Sequence, residues 1–265
     1  MSQISPAGTA VVTGASSGIG ALYAQGLAER GHDLVLVARR QDRLDAVAAR
    51  IRAKTGVKVE VVVADLSKPA DLARVEARLS RDAAITVLVN NAGVANYGAF
   101  ETASDQSLDE TIAVNVTALT RLTRAVLPGL VRHGAGVIVN VASVLAFHPL
   151  AALGVYAAAK AYVVAFSQAL QAEVAGKGVL VQVLAPPAVA TDFWDSAGLA
   201  VSNLPEAAVM TLQDLAAAAL KGFDREEQFV IPSLPEVADW ESFQAARQKL
   251  VGVLMNGKPA ARYAA

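Results

Sequence analysis

The chain has 265 residues, 54 % of them hydrophobic, which suffices for one large α/β domain around a substantial core. Its 23 basic and 24 acidic side chains leave a formal net charge of −1 with no basic block, so no nucleic-acid surface is expected. The lack of cysteine excludes disulfides, thiol nucleophiles and cysteine-held metals, and His32, His133 and His148 have no paired-ligand spacing, so no metal is expected.

Residues 1–8 carry no charged and apolar leader pattern, which makes a cytoplasmic location the expectation. The longest stretch without a charged side chain, 134–159, is interrupted by Asn140, Ser143, His148, Pro149 and Gly154. It reads as buried strand, loop and helix start, not as a membrane span. Short β-branched runs at 9–13, 34–37, 57–63, 86–89, 136–141, 179–184 and 229–231 alternate with periodic helical segments at 41–54, 71–79, 108–131 and 155–174. This alternation predicts a single domain, 1–265, with a doubly wound parallel sheet of about seven strands and helices on both faces. Ligands of such sheets sit beyond the carboxyl ends of the strands, so the residues there are the ones to inspect.

The first strand runs into Thr13-Gly14-Ala15-Ser16-Ser17-Gly18-Ile19-Gly20 and then a helix. Gly14 permits a tight turn, Gly18 lets the backbone approach a diphosphate, and Gly20 lets helix and strand pack closely, with free helix N–H groups facing the anion. Strand two ends at Ala38-Arg39-Arg40, where an acidic residue would hold the adenosine ribose of NAD. Two arginines at a helix start oppose the macrodipole unless an anion sits among them, which points to the 2′-phosphate of NADP(H). The competing reading pairs them with Asp42 or Asp45 on the surface. Asp65 follows strand three and is open to two roles, accepting from an adenine amino group or capping the helix signalled by Ser67 and Pro69. Asn90-Asn91-Ala92-Gly93 closes strand four with residues suited to close backbone approach.

Tyr156 and Lys160 lie four apart in an Ala-rich helix and rise from one face. Two unit charges about 4 Å apart interact by roughly 4 kcal/mol at an effective dielectric of 20, or up to about three pKa units. The spacing therefore predicts a phenol made acidic by the ammonium and usable as an acid or base near pH 7, with the Ser143 hydroxyl as a second donor to the same carbonyl oxygen.

The order and spacing of Thr13-Gly14-x-x-x-Gly18-x-Gly20, Asn90-Asn91-Ala92-Gly93, Asn115, Ser143 and Tyr156-x-x-x-Lys160 resemble the short-chain dehydrogenase/reductase family from about residue 9 to residue 191. The resemblance implies a Rossmann-type fold and hydride transfer between a nicotinamide and a carbonyl or alcohol carbon. It implies that Tyr156 is the general acid in reduction and that Ser143 bonds the substrate oxygen. Lys160 would hold the nicotinamide ribose and lower the tyrosine pKa, and Asn115 would position a proton-supplying water. Implied cofactor contacts are Gly14, Ser16, Ser17, Gly18, Ile19 and Gly20 in the first turn, Arg39 and Arg40, then Asp65 and Leu66. Asn91, Ala92 and Gly93, Tyr156 and Lys160, and Pro186, Val189 and Thr191 complete that set. Where the family has Pro-Gly-x-x-x-Thr this chain has Pro186-Pro187-Ala188-Val189-Ala190-Thr191, which loses the flexibility of glycine and an N–H donor. The family's Val-Asp-Gly ending is replaced by helical patterns near 212–223 and 240–254, similar to a branch that includes carbonyl and fatty-acyl-type reductases.

Val94, Ala95, Leu145, Phe147, Leu153, Pro187, Ala188, Phe193 and Trp194 follow the motifs and are expected to line the substrate pocket, Phe147, Phe193 and Trp194 being equally placed to serve as core or lid. Their apolar character predicts an uncharged ketone or aldehyde with a hydrophobic flank. The expected activity is NADPH-dependent reduction. Its alternatives are an alcohol dehydrogenase working oxidatively and a non-catalytic module that senses NADP(H). The helices at 108–131 and 155–174 suit the helix-pair interface of the family, which implies a homodimer or homotetramer.

Overall fold

Nearly continuous Val, Ile and Leu runs can be buried on both faces only inside a parallel sheet, and the computed structural model, which describes residues 7–263, places them there. Seven strands, β1 (Thr9–Thr13), β2 (Asp33–Ala38), β3 (Val59–Val63), β4 (Ile85–Asn90), β5 (Gly136–Val141), β6 (Val179–Leu184) and β9 (Phe229–Val230), pair in the order β3-β2-β1-β4-β5-β6-β9, all parallel. A separate parallel pair joins β7 (Ala188–Val189) to β8 (Val209–Met210). Winding reverses between β1 and β4, and a crevice opens at their carboxyl ends.

Side chains alternate across this sheet as a period of two requires. On one face Leu34, Leu36, Val137 and Val139 pack with Tyr23 and Leu27 of α1 (Gly18–Glu29), Leu44 of α2 (Gln41–Thr55) and Phe223 of α8 (Leu212–Asp224). On the other, Val35, Val37 and Ile138 meet Leu72 of α3 (Pro69–Ser80), Leu122 of α5 (Leu119–His133) and Leu170 of α6 (Gly154–Glu173).

The helix expected over 108–131 is interrupted. Ser104 caps α4 (Asp105–Ile112) by accepting from the Ser107 N–H at 3.2 Å, a π-helical turn occupies Ala113–Ala118, and α5 follows. The wider turn carries Asn115, whose amide donates to the carbonyls of Thr111 at 2.9 Å and Val94 at 2.7 Å, and such turns recur at functional sites. The uncharged stretch 134–159 resolves into β5, short 3₁₀ turns and the start of α6. The segment Ala151–Glu173 is long and apolar enough to cross a membrane, yet here it packs on β5 and β6, is half buried, and carries Lys160 inward.

The described residues form two compact units, the first ending at Pro232 and the second starting at Ser233, a boundary that composition does not signal. The first also holds the short α7 (Phe193–Ser196). The second consists of α9 (Val237–Leu254) and a 3₁₀ turn at Ala261–Tyr263, and no residue of α9 is buried.

Candidate active site

The end of β1 is fastened to the end of β4. Thr13 Oγ1 donates to the Val89 carbonyl at 3.2 Å and accepts from the N–H groups of Asn91 and Ala92, both at 3.0 Å. Asn91 Nδ2 returns hydrogen bonds to the carbonyls of Thr13 at 2.9 Å and Gly14 at 3.3 Å, so Asn91 holds the shape of the glycine turn. Gly14 has φ +66°, a conformation that an L side chain resists, and a Cβ on Gly20 would lie 2.4 Å from the Gly14 carbonyl oxygen. Gly20 therefore acts behind the turn by letting α1 close on β1, while Gly14, Ser16, Ser17, Gly18 and Ile19 line a cavity of about 540 Å³.

This cavity runs from the arginines after β2 to Tyr156 and Lys160 on α6. Arg40 stands at the cap position of α2 and donates to the hydroxyls of Ser17 at 3.0 Å and Ser16 at 3.2 Å. Arg39 pairs with Glu110 of α4 at 3.0 Å, so neither arginine takes the expected partners Asp42 or Asp45. Asp65 does not cap α3, whose cap residue is Lys68. Its carboxylate accepts from the Ser67 N–H at 3.0 Å and hydroxyl at 2.7 Å, holding a turn in which Asp65 and Leu66 both border the cavity. Asn91, Ala92 and Gly93 form the floor, and Pro186, Val189 and Thr191 form the opposite wall.

At the far end, Ser143 and Tyr156 are both buried and hydrogen-bonded to each other. The Ser143 hydroxyl also accepts from the Leu145 N–H at 3.2 Å. Lys160 Nζ donates to the Val141 carbonyl at 2.7 Å and lies 5.5 Å from the centre of the Tyr156 ring. The electrostatics depart from expectation. Burial raises the tyrosine pKa above its ordinary value, offset only in part by the Ser143 hydrogen bond, while burial lowers Lys160 to about 8. The ammonium is directed at a backbone carbonyl, so desolvation of the phenolate outweighs any attraction to it. Asn115 spends its side chain on Val94 and Thr111, and so anchors the loop after β4 against the π-helical turn.

Of the residues expected to meet substrate, Val94, Ala95, Pro187, Phe193 and Trp194 line the cavity. Phe193 packs on Tyr156 with ring centres 5.7 Å apart, and Trp194 Nε1 donates to the Val189 carbonyl at 3.1 Å. Leu145, Leu153 and Ala188 belong to the apolar cluster behind Tyr156 and Trp194, one layer from the cavity, and Phe147 lies further out at 36 % exposure. The 3₁₀ turns at Val144–Ala146 and Ala151–Leu153 rotate these side chains away, which linear distance from a motif does not reveal. Asn96, Glu110, Asp192 and Ser196 line the cavity without having been anticipated. Asp192 also pairs with Arg43 at 2.5 Å, and no motif marks that contact.

A doubly wound sheet whose glycine turn opens onto a cleft at the β1/β4 switch point is the Rossmann arrangement of dinucleotide-binding domains. Residues 8–201 match the family model described as short chain dehydrogenase, and the chain belongs to the short-chain dehydrogenase/reductase family of oxidoreductases. A Sphingobium yanoikuyae short-chain dehydrogenase in complex with NADPH superposes with a TM-score of 0.93 at 48 % identity, covering 97 % of this chain and 100 % of that one. The bulky-bulky ketone specific alcohol dehydrogenase of Comamonas testosteroni superposes with a TM-score of 0.90 at 42 % identity, covering 98 % and 100 %. A very-long-chain 3-oxoacyl-CoA reductase of Anas platyrhynchos is 40 % identical over 187 residues, 69 % of this chain, and the match spans 60 % of that protein's length.

Proposed function

We propose that the protein reduces ketones bearing bulky apolar groups to secondary alcohols with NADPH. The observation that carries this reading is the hydrogen-bonded Ser143–Tyr156 pair buried at one end of a cleft whose other end holds Arg40 against the Ser16 and Ser17 hydroxyls.

Arg40 and these serines suit the 2′-phosphate, and the glycine turn with the first N–H groups of α1 suits the diphosphate. When bound, the nicotinamide supplies the hydride. Ser143 and Tyr156 hold the carbonyl oxygen by two hydroxyl donors and stabilise the charge that grows there. Burial keeps Tyr156 protonated at neutral pH, which fits it to give a proton to the forming alkoxide. Lys160, still largely an ammonium at pH 7, stands beside the ring to offset the phenolate that this leaves. Phe193 and Trp194 cover this end with apolar surface and limit water. The apolar lining, with no Lys or Arg at the substrate end besides Lys160, favours an uncharged ketone, as does the substrate named for the Comamonas enzyme.

The test follows NADPH absorbance with diaryl, aryl-alkyl and small ketones and a 3-oxoacyl thioester, using wild type and Tyr156→Phe. Expected is turnover highest on the bulky ketones and a loss of about 10²–10⁴-fold in kcat for Tyr156→Phe at unchanged NADPH affinity. Bound NADPH without turnover on any substrate, or a fully active Tyr156→Phe, would refute the reading.

A further inference from the structure

Helix α9 is the one long helix in which no residue is buried. At 3.6 residues per turn, Trp240, Phe243, Arg247, Leu250 and Leu254 recur at intervals of three and four and mark one seam along it. The Trp240 and Phe243 rings stack at 5.6 Å, and Phe243, Leu250 and Leu254 are 48 %, 56 % and 66 % exposed. An apolar stripe about 27 Å long, the length of an 18-residue helix, is large for a surface left to water.

Charge along α9 identifies what covers it. Glu236, Asp239 and Glu241 crowd its start, whereas Arg247 and Lys249 lie in its second half. Within residues 237–254 the two acids and two bases cancel, unlike the basic polar face of a membrane-surface helix. A second copy running antiparallel meets this pattern, because the acidic start of each helix then faces the basic half of the other. Centred near residue 245, that pairing sets Trp240 against Leu250 of the other copy. It also sets Arg247, the one charge in the seam, over the other copy's Phe243, a cation–π geometry. A parallel pairing would instead oppose Arg247 to itself. We propose that α9 is a self-association surface, pairing antiparallel with α9 of a second copy about a twofold axis near residue 245. The surface lies apart from the α5 and α6 helices through which the family resemblance implies oligomers, and the proposal does not depend on the catalytic reading.

The chain has no cysteine, so single introduced thiols report the contact cleanly. In the full-length protein under mild oxidation, Ala246→Cys is expected to form a disulfide-linked dimer. Val253→Cys alone is expected to form none, while a mixture of Asp239→Cys and Val253→Cys cross-links. Leu250→Glu combined with Leu254→Glu should weaken one association step at least 10-fold by light scattering or sedimentation while turnover with NADPH is unchanged. Val253→Cys linking as readily as Ala246→Cys would overturn the antiparallel arrangement. An unaltered mass in the double glutamate variant, with no Ala246→Cys dimer, would overturn the surface altogether. Flotation of wild type with phosphatidylcholine/phosphatidylserine vesicles, lost in the double glutamate variant without a change of mass, would assign the face to lipid and likewise overturn the proposal.

Discussion

Lys160 couples the candidate site to the stability of the whole domain. Its ammonium is 4 % exposed and receives one hydrogen-bond acceptor, the Val141 carbonyl, in place of its water shell. Burial lowers its pKa from 10.5 to about 8, and at about 1.36 kcal/mol per pH unit this corresponds to roughly 3 kcal/mol held against the folded state. The sign follows from proton uptake. Between pH 8 and pH 10.5 the unfolded chain keeps the lysine proton and the folded chain loses it, so stability rises with pH across that window and the full cost is present below it. Above about pH 10 the buried tyrosines reverse the trend, since Tyr23 and Tyr156 keep their protons in the fold after the unfolded chain has released them. Urea unfolding of the cofactor-free protein at pH 7, 8, 9 and 10 should therefore show a climb of up to roughly 3 kcal/mol for wild type. Lys160→Met, similar in length and uncharged, should be more stable than wild type at pH 7, flat from pH 8 to 10, and inactive. A wild-type profile without the climb, or a Lys160→Met profile parallel to it, would show that the ammonium is better solvated than its surroundings imply.

Arg40→Ala should weaken NADPH binding by about 10–100-fold, the worth of one charge-assisted contact, while leaving NADH within about threefold in fluorescence titrations. Equal loss for both would remove the phosphate from that end of the cleft. The Tyr23 hydroxyl is buried with no hydrogen-bond partner among the described residues, so Tyr23→Phe should stabilise by about 1 kcal/mol and raise Tm by about 2–4 °C in calorimetry. Gly20→Ala, whose Cβ would lie 2.4 Å from the Gly14 oxygen and 2.5 Å from Asn91 Nδ2, should cost about 1–3 kcal/mol and loosen cofactor binding. The same change at Gly154, which has helical backbone and nothing within 4 Å, should be neutral or stabilising in the same melting experiment.

The strands were legible because burial on two faces demands apolar runs, and β5 and β6 appear at the bounds their composition marks. The glycine turn was legible for a similar reason, since Gly14 and Gly20 are fixed by backbone geometry that no other residue tolerates. What eluded the sequence is set by side chains meeting across long separations. Arg39 finds Glu110 and not its neighbour Asp42, because the end of β2 faces α4 across the cavity. The π-helical turn at Asn115 depends on Val94, 21 residues earlier, and periodicity alone extends the helix straight through it.

The acidity of Tyr156 is the instructive case. Helical spacing correctly puts Lys160 beside the tyrosine ring but says nothing of solvent, and solvent decides the sign. Leu153 beneath, and Phe193 and Trp194 from 37 and 38 residues further along the chain, enclose the phenol in an apolar cluster. The Val141 carbonyl meanwhile draws the ammonium to the backbone. With water removed from both groups, the phenolate loses more than the displaced ammonium returns, so the phenol stays protonated in the cofactor-free protein. An acid waiting for a carbonyl must hold its proton until negative charge develops on the substrate oxygen. The same burial that defeats the simple charge argument thus supports reduction as the direction in which this site works.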